Sequence, residues 1–130
     1  MSDRRTLAID ATPLSGLDRL SRHLAFHGER QAVLAGNLAN LDTPGFRPRD
    51  LEFKERFDRV VADGGVQRSM SFETETLTRD DEVPDADGNS VSLEGQMAHM
   101  DENNLQYRSI AELLSRRIGL LRYAANDGRG

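Results

Sequence analysis

Cysteine is absent from this 130-residue chain, which excludes disulfide frameworks, thiolate zinc sites and cysteine nucleophiles together. Tryptophan is absent too, and 5 Phe and 2 Tyr are the whole aromatic complement. Leu, Ile, Val and Phe together make about 23% of the residues, just above the roughly 20% below which disorder is expected. The core should therefore be small. A basic excess is also lacking: 17 Lys and Arg stand against 22 Asp and Glu, a net charge of -5. That balance argues against a nucleic-acid binder. The start, MSDRRTLAID, has two arginines with no apolar run behind them, so no cleaved signal peptide is expected. No stretch approaches the roughly 18 apolar residues of a membrane span, so no direct membrane insertion is expected. The length suits one domain.

Most of the leucine sits near the two ends. Leu17, Leu20, Leu24, His27, Gln31, Leu34, Leu38 and Leu41 recur at spacings of three and four, which predicts a helix with one apolar seam. Thr43 before Pro44 leaves helical geometry, and Pro44-Gly45 suits the centre of a tight turn. A second helix is predicted over 92–126, where Leu93, Met97, Met100, Asn104, Tyr107, Ala111, Leu114, Ile118, Leu121 and Ala125 keep the same rhythm. Ser92 is its expected N-cap, Glu94 suits its first turn, and Glu112 and Arg116 have the favourable i, i+4 order. Asn104 is the only polar member of that stripe, the kind of residue that fixes register.

Between them lies a middle segment, 47–91, too long for a helix hairpin turn. Phe53, Phe57, Val60 and Val61 fit one face of a short helix from Leu51 to Val61. Arg47, Arg49, Arg56 and Arg59 are interleaved with Asp50, Glu52, Glu55 and Asp58, which reads as a salt-bridged surface. The stretch SFETETLT alternates as an edge strand or hairpin arm would, and the acidic run from Glu73 to Asp87 reads as a solvated loop. Residues 1–13 are expected to be a flexible N-terminus and 127–130 a tail.

Each terminal helix carries a second apolar stripe off the seam: Phe26 and Val33 in the first, Leu113 and Leu120 in the second. A lone two-helix hairpin would leave these in water, although burying each is worth on the order of 1.5–3 kcal/mol. They are therefore candidates for contact with other subunits. Gly28, Ala32 and Gly36 form a small-residue row that admits a close neighbour, which would offset the roughly 1 kcal/mol cost of each helical glycine.

Catalytic and cofactor chemistry finds little support. His23 and His27 are one turn apart, but Leu24 stands where a zinc protease needs Glu, and no third ligand is evident. The run VPDADGNSVSLE resembles a calcium loop only in part, because Val83 occupies the position that needs a carboxylate. Neither a Gly-x-Ser-x-Gly turn nor a phosphate-binding glycine loop occurs. No catalytic residue, metal or cofactor is expected.

The segment LAGNLANLDTPGFRPRDLEF, Leu34 to Phe53, resembles the N-terminal signature of flagellar axial proteins, the family of rod, hook and hook-associated proteins. Ala35, Asn37, Leu38, Ala39, Asn40, Thr43, Pro44, Gly45 and Phe46 match its Ala-Asn-Asn-Ile-Ala-Asn-x-x-Thr-Pro-Gly-Tyr/Phe pattern, with Gly36 in place of the first Asn. Short length, the continuation Pro48-Arg49-Asp50-Leu51, and Asp87 to Arg122 look most like the proximal members of the basal-body rod family. The resemblance implies a mainly α fold, with the long terminal helices pairing as an antiparallel coiled coil around a small irregular middle region. It implies a structural, non-enzymatic rod subunit exported by the flagellar type III apparatus without a cleaved signal. Its partners would be other rod subunits and the basal-body ring or junction proteins, in the periplasm. Another flagellar axial protein is the alternative within the family, and a cytosolic coiled-coil adaptor the alternative outside it. Helix packing would then fall to Leu17, Leu20, Leu24, Leu34, Leu41, Met97, Met100, Asn104, Tyr107, Ala111, Leu114, Ile118 and Leu121.

Overall fold

The computed structural model describes residues 4–10, 15–62, 65–79 and 92–127. Strand β1 (Arg4–Asp10) is followed by helix α1 (Ser15–Ala39), strands β2 (Arg49–Ala62) and β3 (Gly65–Thr78), and helix α2 (Leu93–Asp127). The two helices dominate and run antiparallel. Arg117 lies over Gly16, Asn103 meets His27, and Gln96 meets Asn37. Ser92 caps α2 as its sequence suggests, its hydroxyl accepting from the Gly95 N–H at 3.3 Å. Glu112 and Arg116 pair on the helix surface.

The strands form one antiparallel sheet in the order β1-β3-β2. Strand β2 pairs with β3 from Arg49↔Thr78 to Ala62↔Gly65, and β1 pairs along the other edge, with Leu7↔Phe72. Two expectations are corrected here and a third is resolved. Residues 51–61 are strand, not helix: a spacing of four, as between Phe53 and Phe57, is one helical turn but also two pleats. The exposed Glu52, Lys54 and Arg56 alternate with the covered Leu51, Phe53 and Glu55, which is strand periodicity, and β3 supplies the ladder. SFETETLT takes the hairpin-arm alternative, as part of β3 paired antiparallel with β2, and it is central in the sheet, not an edge. Arg4–Asp10, expected to be flexible, is the strand that covers β3's other side. The acidic run begins inside β3 with Glu73 and Glu75; its remainder, including Val83 and the Asp-Gly pair, lies outside the described residues.

Helix α1 is shared out by angle around its axis. One side (Leu20, Leu24, His27, Gln31) faces α2, a second (His23, Phe26, Arg30) faces the sheet, and Ala25, Ala32 and Ala35 remain exposed. On the sheet side Phe26 packs on Phe53 at 5.1 Å between centroids, and Phe53 stacks on Phe72 at 5.5 Å. Phe26 is thus buried within its own chain, not reserved for a neighbour, because β2 and β3 supply the cover that a two-helix hairpin lacks.

Among the residues whose burial is described, the buried apolar side chains are Phe26, Leu34, Leu51 and Phe72, and buried polar ones outnumber them: His27, Arg30, Asn37, Asp50, Glu75, Gln96 and Asn103. With so many polar groups buried, hydrogen-bond satisfaction matters to the fold.

Candidate assembly site: the helix corner and the polar seam

The corner after α1 is built by two asparagines with different tasks. Asn40 closes the helix: its amide nitrogen donates to the Gly36 carbonyl at 2.8 Å, filling one of the acceptors every helix end leaves open. Its oxygen receives the Thr43 hydroxyl at 3.2 Å. The chain then turns through Thr43-Pro44-Gly45-Phe46, with Phe46 N–H donating to Thr43 O at 3.2 Å. Proline at the second position and Gly45 at φ +75° match a type II turn, where the third residue needs positive φ.

Asn37 fastens the start of β2 to the helix. Its oxygen accepts the Arg49 N–H at 2.9 Å, and its nitrogen donates to the Arg49 carbonyl at 2.7 Å and to Gln96 Oε1 at 3.0 Å. Because a backbone N–H can only donate and a carbonyl only accept, the orientation of the Asn37 amide is fixed. One side chain thus joins the end of α1, the start of β2 and the first turns of α2. Pro48 is fully buried beside this joint, and its carbonyl accepts from Arg79 N–H at 2.9 Å.

Further along the seam, Asn103 is fully buried. Its nitrogen donates to the His27 carbonyl and to Gln31 Oε1, both at 2.8 Å, and its oxygen lies 2.7 Å from His27 Nδ1. With both amide protons committed, the oxygen must accept, so His27 carries its proton on Nδ1. The expected seam asparagine, Asn104, is exposed instead. The seam of α2 runs through Gln96, Met100, Asn103, Ala111 and Leu114, so its polar members sit where an apolar periodicity is not looking.

Two ionic clusters bind α1 to the sheet. Arg30 makes paired bonds to Asp50 at 2.7 and 3.0 Å, and Arg79 adds two more at 3.0 and 2.7 Å. Burial pushes the Asp50 carboxyl upward, but bonds from Arg30, Arg79 and the Leu51 N–H outweigh it and hold the group below its ordinary value. Arg19 grips Glu55 with two bonds of 2.8 Å and His23 Nε2 lies 2.6 Å from it, so Glu55 too is held low, chiefly by Arg19. His23 and His27 therefore point to separate partners, and no cluster of metal-ligating side chains occurs among the described residues. Both carboxylates come from the interleaved charges of the middle segment, which read along the chain as surface pairs. The arginines that hold them, Arg19, Arg30 and Arg79, carry no periodic signal.

Of the residues expected to pack the helices, Leu34 is buried, and Leu17, Leu20, Leu24, Leu41, Met100, Ala111 and Leu114 are half-buried. Met97, Tyr107, Ile118 and Leu121 are exposed. In the motif, Asn37 is buried, Leu38, Asn40 and Phe46 are half-buried, and Ala35, Ala39, Thr43, Pro44 and Gly45 are exposed. Val33 is half-buried in a shallow groove with Gly36, Phe46 and Leu51. The other two off-seam residues, Leu113 and Leu120, remain 54% and 69% exposed.

The family model described as flagella basal body rod protein matches residues 28–47, which span the end of α1 and the corner. That stretch, corner included, is similar to the class of flagellar rod proteins. FlgB of Escherichia coli (strain K12) is 32% identical over 126 residues, covering 78% of this chain and 91% of that protein. FlgB of Yersinia ruckeri is 30% identical, with coverage of 78% and 92%, and FlgB of Cereibacter sphaeroides is 31% identical, with 78% and 88%. The chain belongs to the FlgB family of flagellar basal body rod proteins. It is a structural component of the basal body, working among other flagellar components.

Proposed function

We propose that this protein is a non-enzymatic subunit of the proximal rod that assembles with its neighbours through α1 and α2 into the tubular shaft. It reaches the periplasm unfolded through the flagellar type III apparatus, without loss of a signal peptide, and contacts other rod subunits and the ring or junction proteins. The observation that carries this reading is α2. Its outward side keeps Leu105, Leu113, Leu120 and Tyr123 in solvent, whereas an isolated helix surface is normally polar. The Asn37 corner supports it by setting the direction in which the helix pair leaves the sheet. Leu38→Asp and Leu114→Asp each put an unpaired carboxylate in the helix interface, a cost of several kcal/mol. Both variants should be exported yet fail to appear in purified hook–basal bodies, with motility lost. Normal motility of both would refute the reading, as would a wild-type chain that never co-purifies with basal bodies.

A further inference from the structure

Strand β2 forms one edge of the sheet, and the beginning of that edge is closed by side chains. The Asn37 amide takes the N–H and the C=O of Arg49 at 2.9 and 2.7 Å, and the Asp50 carboxylate takes the Leu51 N–H at 2.8 Å. Backbone groups of an antiparallel strand point alternately toward and away from a given neighbour. Arg49 therefore fixes the parity: Phe53, Glu55, Phe57, Arg59 and Val61 also turn their N–H and C=O away from β3. Among the described residues, no hydrogen bond reaches this outward row at Phe53, Glu55 or Arg59. The row left over runs from Phe53 to Val61, and its midpoint is Phe57. Such a row is a template for one more strand.

We propose that the occupant is β2 of a second copy, antiparallel about a two-fold axis through Phe57. The stretch FKERFDRVV is complementary to itself about that residue. Arg56 falls opposite Asp58, Glu55 opposite Arg59, and Phe53 opposite Val61, each pair occurring twice. Every neighbouring centre sets a charge against its own kind: Glu55, Arg56, Asp58 or Arg59 would stand opposite itself, and like charges directly opposite are destabilising. The centre of the charge pattern thus coincides with the centre of the unpaired edge, although one is a property of side chains and the other of backbone bonding. The bonds and ring contacts of α1 to β2 fall at Arg49, Asp50, Phe53 and Glu55, all on one side of Phe57. The axis therefore directs the two copies' α1 helices toward opposite ends of the joint. Glu55 is already held by Arg19 and His23, which leaves Arg56 with Asp58 as the deciding pair. Arg56 is exposed, with Glu73 at 3.7 Å. A two-fold contact closes on itself, so this one is separate from the helix-mediated assembly proposed above and does not rest on it.

The test is charge reversal within the deciding pair, with helicity as the folding control. Arg56→Asp and Asp58→Arg each oppose like charges twice, so each alone should dimerise at least about tenfold more weakly than wild type in sedimentation velocity at low salt. Their equimolar mixture restores opposite charges at both places and should recover a 1:1 heterodimer. Because the chain has no cysteine, the centre can be read by cross-linking as well. A hydrogen-bonded antiparallel pair has its Cα atoms about 5.5 Å apart, within disulfide reach, so Phe57→Cys should oxidise to a covalent dimer. Glu52→Cys, set far from its own copy along the strand, should not. Single variants that dimerise like wild type, or a mixture that does not recover, would overturn the pairing of Arg56 with Asp58. Equal cross-linking at 52 and 57 would overturn the axis at Phe57. A wild-type chain that stays monomeric at high concentration, with Phe57→Cys failing to cross-link, means that the interleaved charges only guard the edge, and the proposal falls.

Discussion

Asn37 and Arg49 face each other as two residues of adjacent strands would, although one is a helical side chain and the other a strand backbone. The amide supplies the acceptor and donor that a neighbouring peptide group would give to Arg49. Aspartate has the same shape and no donor. Asn37→Asp should therefore destabilise the fold by about 2–4 kcal/mol, because a buried carboxylate would face the Arg49 carbonyl and the Gln96 oxygen. Asn40→Asp, at a half-buried helix end, should cost only about 1 kcal/mol. Urea unfolding of both variants checks the order.

The adjacent asparagines of α2 give a second comparison. Asn103→Ala removes the partner of His27 Nδ1, the His27 carbonyl and Gln31, and should cost about 1–3 kcal/mol. Asn104→Ala, on the exposed side, should change stability by no more than about 0.5 kcal/mol. Equal effects would contradict a seam that runs through Asn103.

Glycine substitutions should separate conformational need from tolerance. Gly45 has φ +75°, so Gly45→Ala should lose about 1 kcal/mol. Gly36 is helical and has open space where a Cβ would stand, so Gly36→Ala should gain up to about 1 kcal/mol in the monomer. Thermal unfolding measures both shifts.

Acid should loosen the joint between α1 and the sheet. The Asp50 carboxyl is held below its ordinary value, so its folded form binds a proton less readily than the unfolded chain does. The stabilisation is complete above the unfolded value of about 4 and is lost as pH falls through the lower folded value. Asp50→Asn should flatten that part of the stability-against-pH curve, read by urea unfolding between about pH 2 and 6. Glu55, held low by Arg19 and His23, contributes in the same direction.

The parts legible from sequence are those whose signal repeats or punctuates. Leu17 to Leu41 mark α1, Ser92 marks the start of α2, and Thr43-Pro44-Gly45 marks the corner, because period and turn chemistry are local properties. The middle segment misleads because Phe53 and Phe57 satisfy two periods at once, and only the ladder with β3 settles which one is used. Asn103 and Gln96 escape notice because a search for apolar stripes passes over a seam joined by amides. The Arg30–Asp50–Arg79 cluster brings together three residues from separate parts of the chain, and no spacing announces such a meeting.

A joint of leucines alone can creep, since one greasy contact replaces another after a small slide. Here displacement of α2 by a single turn, about 5.4 Å, would strand Gln96 and Asn103 opposite groups that cannot answer them. The amide bonds thus key one helix to the other and resist slippage along their shared axis.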